Sequence, residues 1–187
     1  MARGKRWVPA GIVQHVYNRG SRKGPLFANA GHYILFIRLL EEARARFDVR
    51  VLAFCLMPNH WHLLLCPGDD EVLSLFMHWL TTTHARLWRR MTDTVGEGAV
   101  YQSRFGAVPI ADRWHLLVAR RYIERNALAS SLCPRAEDWP WSSAAEQPPI
   151  DNYRFHVDAQ KFPLPNNWID ILNGDIPWEA SWEPDGN

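Results

Sequence analysis

The segment that most constrains the fold is an apolar run with two histidines, Met57-Pro-Asn-His-Trp-His-Leu-Leu64. Side chains alternate between the two faces of an extended strand, so residues i and i+2 point the same way. His60 and His62 therefore share one face, while Trp61 points to the other. Pro58 suits the start of a strand, where no ladder N–H is required. The segment is predicted to be a strand that presents both imidazoles on one face.

Two imidazoles on one rigid face form half of a divalent-metal site. A His-x-His pair is equally typical of a half-buried strand whose histidines simply face water. The rest of the chain has to distinguish between these two interpretations.

Hydrophobic periodicity and turn residues divide the chain into alternating strands and helices. Besides the histidine strand, we predict strands at 11–19, 50–57 and 104–111 and helices at 30–47, 71–92 and 113–128. Asp69 and Asp70 are expected to cap the second helix, and Asp112 the third. The order predicts an α+β fold, a ferredoxin-like or RRM-like antiparallel sheet with helices on one face. Such a sheet keeps an open face on which a site can be built.

The net charge of +1 conceals an uneven distribution along the chain. Residues 1–125 contain 18 Lys and Arg against 10 Asp and Glu, whereas residues 126–187 contain 3 against 10. A basic body favours a polyanion such as nucleic acid, and an acidic segment opposes one. We predict a domain over 1–145 and an acidic, Trp-rich C-terminal extension over 146–187 that packs on it. The acidic end either competes with DNA for the basic face or forms a plain accessory layer.

The three cysteines are an odd number without paired spacing, which is typical of a reducing compartment. The basic N-terminus is not followed by an apolar segment, and no run approaches the roughly 20 apolar residues that span a bilayer. We therefore expect a cytoplasmic protein without a membrane partner.

A second chemical cluster lies in the predicted helix at 113–128. Tyr122 and Asn126 are four residues apart and so lie on one helical face, flanked by Arg120, Arg121 and Arg125. A phenol among arginines suggests a nucleophile directed at phosphate, and an amide oxygen one turn away can be a third metal ligand. The alternative is that Tyr122 packs in the core and Asn126 caps the helix end.

Five motifs follow one another within residues 10–145. They are His15-Val-Tyr-Asn-Arg-Gly20, Leu56-Met-Pro-Asn-His-Trp-His-Leu-Leu64, Gln102-Ser-Arg-Phe105, Tyr122-Ile-Glu-Arg-Asn126 and Trp139-Pro-Trp-Ser-Ser143. In type and order they resemble the REP-associated tyrosine transposases, a branch of the HUH-type single-strand DNA transposases. One departure is Ala127, where the family usually has proline, and the chain after about residue 145 matches no pattern that we can place.

The resemblance implies a chemistry and a ligand set. Tyr122 would be the nucleophile, and His60, His62 and Asn126 would hold one Mg²⁺ or Mn²⁺. The reaction would be metal-dependent cleavage and joining of single-stranded DNA at hairpins of REP-like repeats, through a 5′-phosphotyrosine intermediate. The partner would be single-stranded or hairpin DNA, and the protein a monomer or homodimer. The base that deprotonates the tyrosine is not evident, although His115 is one possibility.

The basic residues near the motifs are the predicted phosphate contacts, which position DNA without reading its sequence. They are Arg3, Lys5, Arg6, Arg19, Arg22, Lys23, Arg104, Arg120, Arg121 and Arg125. Two other functions stay open. One is a domesticated DNA-hairpin binder without turnover, and the other is a His-x-His metal hydrolase, which needs a further His, Asp or Glu ligand.

Overall fold

The computed structural model describes residues 9–146, 155, 157–158 and 162–174. Most of the predicted basic arm at 1–10 lies outside these residues, and with it the predicted DNA contacts Arg3, Lys5 and Arg6. Much of the predicted extension at 146–187 also lies outside them, so the proposed boundary at residue 145 stays a prediction.

The four predicted strands form one antiparallel sheet. Their bounds are β1 (Gln14–Arg19), β2 (Val49–Met57), β3 (His60–Pro67) and β4 (Gly106–Pro109), and their order in the sheet is β2-β3-β1-β4. β2 and β3 form the predicted tight hairpin, in which Met57 is paired with His60. The histidine strand β3 lies between β2 and β1, so ladder hydrogen bonds hold it on both edges.

The helices cover both faces of this sheet. They are α1 (Ala30–Arg46), α2 (Val72–Met91), α3 (Arg113–Ala129) and the short α4 (Trp168–Asn173). α1 and α2 pack together on one face, which confirms the predicted α+β, ferredoxin-like fold. α3 lies against the opposite face and therefore covers part of the surface that was expected to be open. None of the helices in the described residues is long and apolar enough to cross a membrane.

The helix caps agree with the prediction at one helix and not at the other. The Asp112 carboxylate accepts a hydrogen bond of 2.8 Å from the His115 N–H and caps α3 as predicted. The cap predicted from Asp69 and Asp70 is wrong, because α2 begins after Glu71, whose φ is +66°. Asp70 instead accepts a hydrogen bond from the backbone N–H of Ala10 at 2.7 Å, so it fixes the chain that enters β1.

A bulge divides the apolar run of β2 between two cores. The register with β3 shifts between Val51 and Ala53. Val51 and Phe54 therefore face α1 and α2, whereas Leu52 and Cys55 face α3. Every residue of β2 except Arg50 is buried, since both faces of this strand are covered.

The outer edge of β2 is covered by the chain that follows α3. Leu56 donates its N–H to the carbonyl of Trp141 at 2.9 Å, and Ser143 donates its N–H to Phe54 at 2.9 Å. Asp158 extends this cover by donating its N–H to Val51 at 2.8 Å. The motif that contains Trp141 and Ser143 thus acts as a partial fifth strand.

Candidate functional site

The pairing of β1 with β3 assembles four aromatic rings on the α3 face of the sheet. Tyr17 pairs with His62, and Arg19 pairs with His60. The His15 and His62 rings stack at a centroid distance of 5.1 Å, and His15 Nε2 lies 2.9 Å from His62 Nδ1. The predicted sharing of one face by His60 and His62 is seen in their rings, whose centroids are 5.1 Å apart.

α3 places Tyr122 and Asn126 over these histidines. The Tyr122 ring stands nearly perpendicular to the His62 ring, at 86° and a centroid distance of 5.4 Å. The Asn126 side chain interacts with both the His60 ring and the Tyr122 phenol, and only 9% of its surface is exposed. Two pairs of residues that are far apart in sequence, His60 with His62 and Tyr122 with Asn126, therefore meet in one chain.

Two hydrogen bonds orient the imidazole rings. His60 Nδ1 lies 2.7 Å from Asn59 Oδ1, which can only accept, so this nitrogen carries the proton. The Nε2 of His60 is then the nitrogen that carries the lone pair, on the side of the ring that a metal could use. If His62 Nδ1 likewise donates to His15 Nε2, the Nε2 of His62 is also a lone-pair donor. A hydrogen-bond partner on the non-ligating nitrogen is what holds metal-binding histidines in position.

Burial keeps both imidazoles neutral. Burial and, to a smaller extent, the positive charge of Arg19 lower the pKa of His60 to about 4. Burial also lowers the pKa of His62 well below its usual range, with His15 adding to the effect. Protons therefore do not compete for these nitrogens near neutral pH.

The Tyr122 phenol needs help before it can act as a nucleophile. Burial raises its pKa, whereas the hydrogen bond from Asn126 and the charge of Arg19 lower it. His115, one possible base, is partly committed elsewhere, because its Nδ1 accepts the N–H of Ala111 at 3.2 Å.

The donor set fits a metal of the Mn²⁺ or Mg²⁺ type with few protein ligands. Two neutral imidazoles and one amide oxygen suit a borderline cation such as Mn²⁺. Among the described residues no group of three His, Cys, Asp or Glu side chains could hold a metal. The Asn126 amide could serve as a third ligand beside the two histidines, and the described residues place no third His, Cys, Asp or Glu there for a hydrolase of the His-x-His type.

A cleft of about 430 Å³ opens above the histidines and Tyr122. Three of the predicted DNA contacts, Arg19, Lys23 and Arg104, line it. Arg22 is exposed beside them in a turn where its φ is +52° and that of Lys23 is +59°. The cleft therefore combines two imidazoles, two phenols and three cationic side chains.

The other three predicted arginine contacts have to be corrected, because the structure does not bring them to the cleft. Arg120 is buried and forms an ion pair of 3.2 Å with Glu124. Arg121 is fully buried and donates to the carbonyls of Ile171 and Gly174, and Arg125 donates to that of Leu172 at 3.0 Å. Arg121 and Arg125 thus bind the C-terminal end of α4, and Arg120 binds Glu124 within α3, instead of phosphate.

Sequence reasoning missed several residues of the site. His15 and Tyr17 belong to the first motif but were given no role, because the neighbour of β1 in the sheet was not known. Asn59 and Gly106 were also missed. A β-carbon on Gly106 would lie 2.3 Å from the Tyr17 ring, so only glycine leaves room for that ring in the cleft.

Comparisons with known proteins agree with this geometry. The model of the family described as IS200-like transposases matches residues 12–126. A protein of Haemophilus influenzae assigned as a REP-associated tyrosine transposase is 25% identical over 136 residues, which cover 68% of this chain and 71% of that protein.

Two solved structures are similar in fold. The structure of a REP-associated tyrosine transposase bound to a REP hairpin superposes with a TM-score of 0.61 at 17% identity, over 76% of this chain and 82% of that one. A protein of Deinococcus radiodurans R1 assigned as a transposase gives a TM-score of 0.47 at 16% identity, over 66% of this chain and 96% of that one.

Proposed function

This chain belongs to the IS200-like transposase family, and we propose that it cleaves and rejoins single-stranded DNA at hairpins of the REP type. The motif resemblance noted in the sequence agrees with this membership. The choice of substrate is supported by the curated relative, which is assigned as REP-associated, and by the solved neighbour, which is bound to a REP hairpin.

One observation carries the proposal. The Tyr122 ring lies 5.4 Å from the His62 ring, and the His62 ring lies 5.1 Å from the His60 ring, beside a cleft lined by three cations. A phenol held next to two imidazoles and several cations is an arrangement suited to covalent phosphoryl transfer. A protein that only binds hairpins has no need of it.

The proposed reaction is a displacement at phosphorus. Tyr122 Oη attacks the scissile phosphorus, the P–O3′ bond breaks, and the phenolic proton is lost while the leaving 3′ oxygen gains one. The products are a 5′-phosphotyrosine and a free 3′-OH. Because the phosphodiester energy is kept in the covalent link, attack by a 3′-OH can reverse the step without ATP.

The residues of the chain have distinct parts in this reaction. Arg19 beside Tyr122 favours the phenolate, because its charge opposes the effect of burial on the phenol pKa. Asn126 orients the hydroxyl toward His60. Arg104 and Lys23 hold the flanking phosphates, since these contacts position the strand rather than read its sequence.

We propose that His60, His62 and Asn126 hold one Mg²⁺ or Mn²⁺. A bound divalent cation supplies Lewis-acid polarisation of a phosphoryl oxygen and orients the scissile bond. The hydrogen bonds that His60 and His62 donate to Asn59 and His15 would keep the ligating nitrogens turned toward it.

The test uses labelled single-stranded oligonucleotides that carry hairpins from the DNA flanking the gene. They are incubated with protein and Mn²⁺, and a covalent adduct is sought on a denaturing gel. An adduct is expected for the wild type. It should disappear in Tyr122→Phe, with a chelator, and in His60→Ala.

Matched controls separate chemistry from folding. Tyr33→Phe removes a hydroxyl from the α1 side of the sheet, and His78→Ala removes an exposed imidazole from α2, so both should keep the adduct. Tight hairpin binding without any adduct would identify a domesticated binder instead. An adduct that persists in Tyr122→Phe would assign the nucleophile to another residue.

A further inference from the structure

Glu124 is a buried carboxylate to which the reaction proposed above gives no part. Only 1% of its surface is exposed. Its Oε1 accepts hydrogen bonds from Arg120 Nε at 3.2 Å and from the Ser143 hydroxyl at 2.6 Å. Its Oε2 accepts one from Trp168 Nε1 at 2.6 Å. The carboxylate is thus the meeting point of three donors.

The three donors come from three different parts of the fold. Arg120 belongs to α3 itself, whereas Trp168 is the first residue of α4. Ser143 belongs to the segment on the β2 edge, and its hydroxyl also accepts the N–H of Phe54 at 3.0 Å. Through Glu124, α3 is therefore fastened both to the sheet edge and to α4.

The position of Glu124 in α3 links this junction to the site. Successive residues of an α-helix are rotated by about 100°, so Glu124 lies about 200° from Tyr122 and from Asn126. The junction therefore acts on the side of the helix opposite the reacting hydroxyl. Fixing that side fixes the rotation of α3 about its axis, which in turn aims Tyr122 and Asn126 at His60.

α3 carries two more polar attachments to α4. Arg121 and Arg125 donate to carbonyls at the end of α4, so that α4 is held along more than one turn of α3. Arg120 and Glu124 are buried together, and such a pair is stable only with a full set of hydrogen bonds. A merely apolar contact would hold the helix with less directional precision, because hydrophobic packing is non-directional.

We propose that Glu124 is a positioning residue for the nucleophile, and that α4 is part of the catalytic unit because it completes the Glu124 junction. This inference rests on the proposed function. It makes a separate prediction, since Glu124 touches neither the DNA cleft nor the histidines.

The test compares Glu124→Ala and Glu124→Gln with the wild type, well below each melting temperature. The single-turnover rate of adduct formation at saturating DNA and Mn²⁺ should fall by about 100-fold in Glu124→Ala, the size expected for a displacement near 1 Å. The rate should fall less in Glu124→Gln, because the single amide oxygen can still accept hydrogen bonds from some of the three donors. The affinity for hairpin DNA, measured in a Tyr122→Phe background with chelator, should stay unchanged.

A second readout does not depend on cleavage. Mn²⁺ affinity, measured by electron paramagnetic resonance without DNA, should fall in Glu124→Ala, because Asn126 moves with α3 while His60 and His62 stay on the sheet. Glu137→Gln is the matched control. Glu137 also binds α4, through Asn173 Nδ2 at 2.7 Å, but does not lie on the tyrosine helix. The rate of adduct formation and the Mn²⁺ affinity of Glu137→Gln should equal those of the wild type.

Each outcome decides one question. A wild type without adduct overturns the proposed function and the inference that rests on it. If the wild type forms the adduct and a folded Glu124→Ala variant forms it at the same rate, only the positioning role is overturned. If Glu124→Ala does not fold, Trp168→Phe and Ser143→Ala decide, because each removes one of the three hydrogen bonds. Unchanged rates in both would overturn the inference, and lowered rates at unchanged DNA affinity would support it.

Discussion

His15 on β1 and His62 on β3 share a hydrogen bond of 2.9 Å between His15 Nε2 and His62 Nδ1. The two rings also stack, so both a hydrogen bond and ring stacking hold His62 in place. Burial lowers the pKa of His15 to about 3, so it meets His62 as a neutral ring. His15 is therefore the residue that orients the more deeply buried histidine of the proposed metal pair.

Replacing His15 by phenylalanine should keep the stacking and remove the hydrogen bond. Loss of such a partner typically weakens metal binding about 10- to 100-fold, and we expect that range for Mn²⁺. Calorimetric titration of Mn²⁺ measures it, with the exposed His78→Phe as control. Equal Mn²⁺ affinities in His15→Phe and wild type would show that His62 does not depend on this partner.

Gly106→Ala should disturb the cleft through Tyr17. The added β-carbon would lie 2.3 Å from the Tyr17 ring, a distance at which one of the two must move. We expect a loss of about 1 to 3 kcal/mol in the free energy of unfolding, as for other overpacked sites. Urea denaturation measures it. In the double variant, Tyr17→Ala should remove the clash and restore the stability that Gly106→Ala loses. If the double variant is no more stable than Gly106→Ala, the loss of stability comes from another contact.

Arg104→Gln should weaken hairpin binding by nearly the same factor for every sequence. Removing one phosphate contact should reduce the slope of log affinity against log salt by about 0.7 to 0.9. Fluorescence anisotropy at several salt concentrations measures both effects. Arg38→Gln is the control, because Arg38 is exposed on α1, across the sheet from the cleft. A slope that does not change would remove Arg104 from the set of phosphate contacts.

His84 should make the fold sensitive to acid. It is fully buried on α2, with its Nδ1 2.7 Å from the Tyr101 hydroxyl. Burial lowers its pKa from 6.5 to about 3, with His32 adding to the effect. Between these two values the unfolded chain binds a proton that the folded chain excludes. The contribution of His84 to the free energy of unfolding is therefore complete above pH 6.5 and decreases as the pH drops toward 3.

Between pH 6.5 and about pH 4.5, the loss of this contribution lowers the free energy of unfolding by roughly 2 kcal/mol. His84→Gln keeps a side chain able to bond to Tyr101 and does not titrate, so its stability should fall less steeply over this range. Urea unfolding at several pH values compares it with wild type, with the exposed His78→Gln as control. Parallel pH curves for wild type and His84→Gln would contradict the assignment.

Local periodicity was enough to predict the parts of the site that lie within one element. The period of two placed His60 and His62 on one face, and the spacing of four placed Tyr122 and Asn126 together. The sequence did not contain the register between β1 and β3, which is a long-range pairing. For this reason Tyr17 and His15 had no predicted neighbour.

The arginines of α3 show the opposite case, in which a local pattern was misleading. Arg120, Arg121 and Arg125 flank Tyr122 closely in sequence, and a basic cluster beside a phenol favours phosphate binding. However, α3 is covered on two sides, by the sheet and by α4. No periodic pattern in the six residues of α4 predicted this second cover. Burial then turned three expected DNA contacts into structural ones.

The acidic extension is only partly accounted for. The described residues of this segment lie on α3 and along the β2 edge, and none of them lines the cleft. The hypothesis that acidic residues compete with DNA concerns mainly 147–154 and 175–187, which lie outside the described residues. It stays a prediction. Truncation after residue 146 would not test it in isolation, because that change also removes α4.

The cover on the β2 edge has a consequence for how copies of this protein behave when crowded. Bare strand edges recruit other strands, and they are a common start of aggregation. Here the long edge is closed by Trp141, Ser143 and Asp158. The opposite edge, β4, has only four residues and ends at Pro109, which has no N–H to offer. The sheet therefore resists growth into a shared sheet between molecules, even where repeated hairpins would bring many copies side by side.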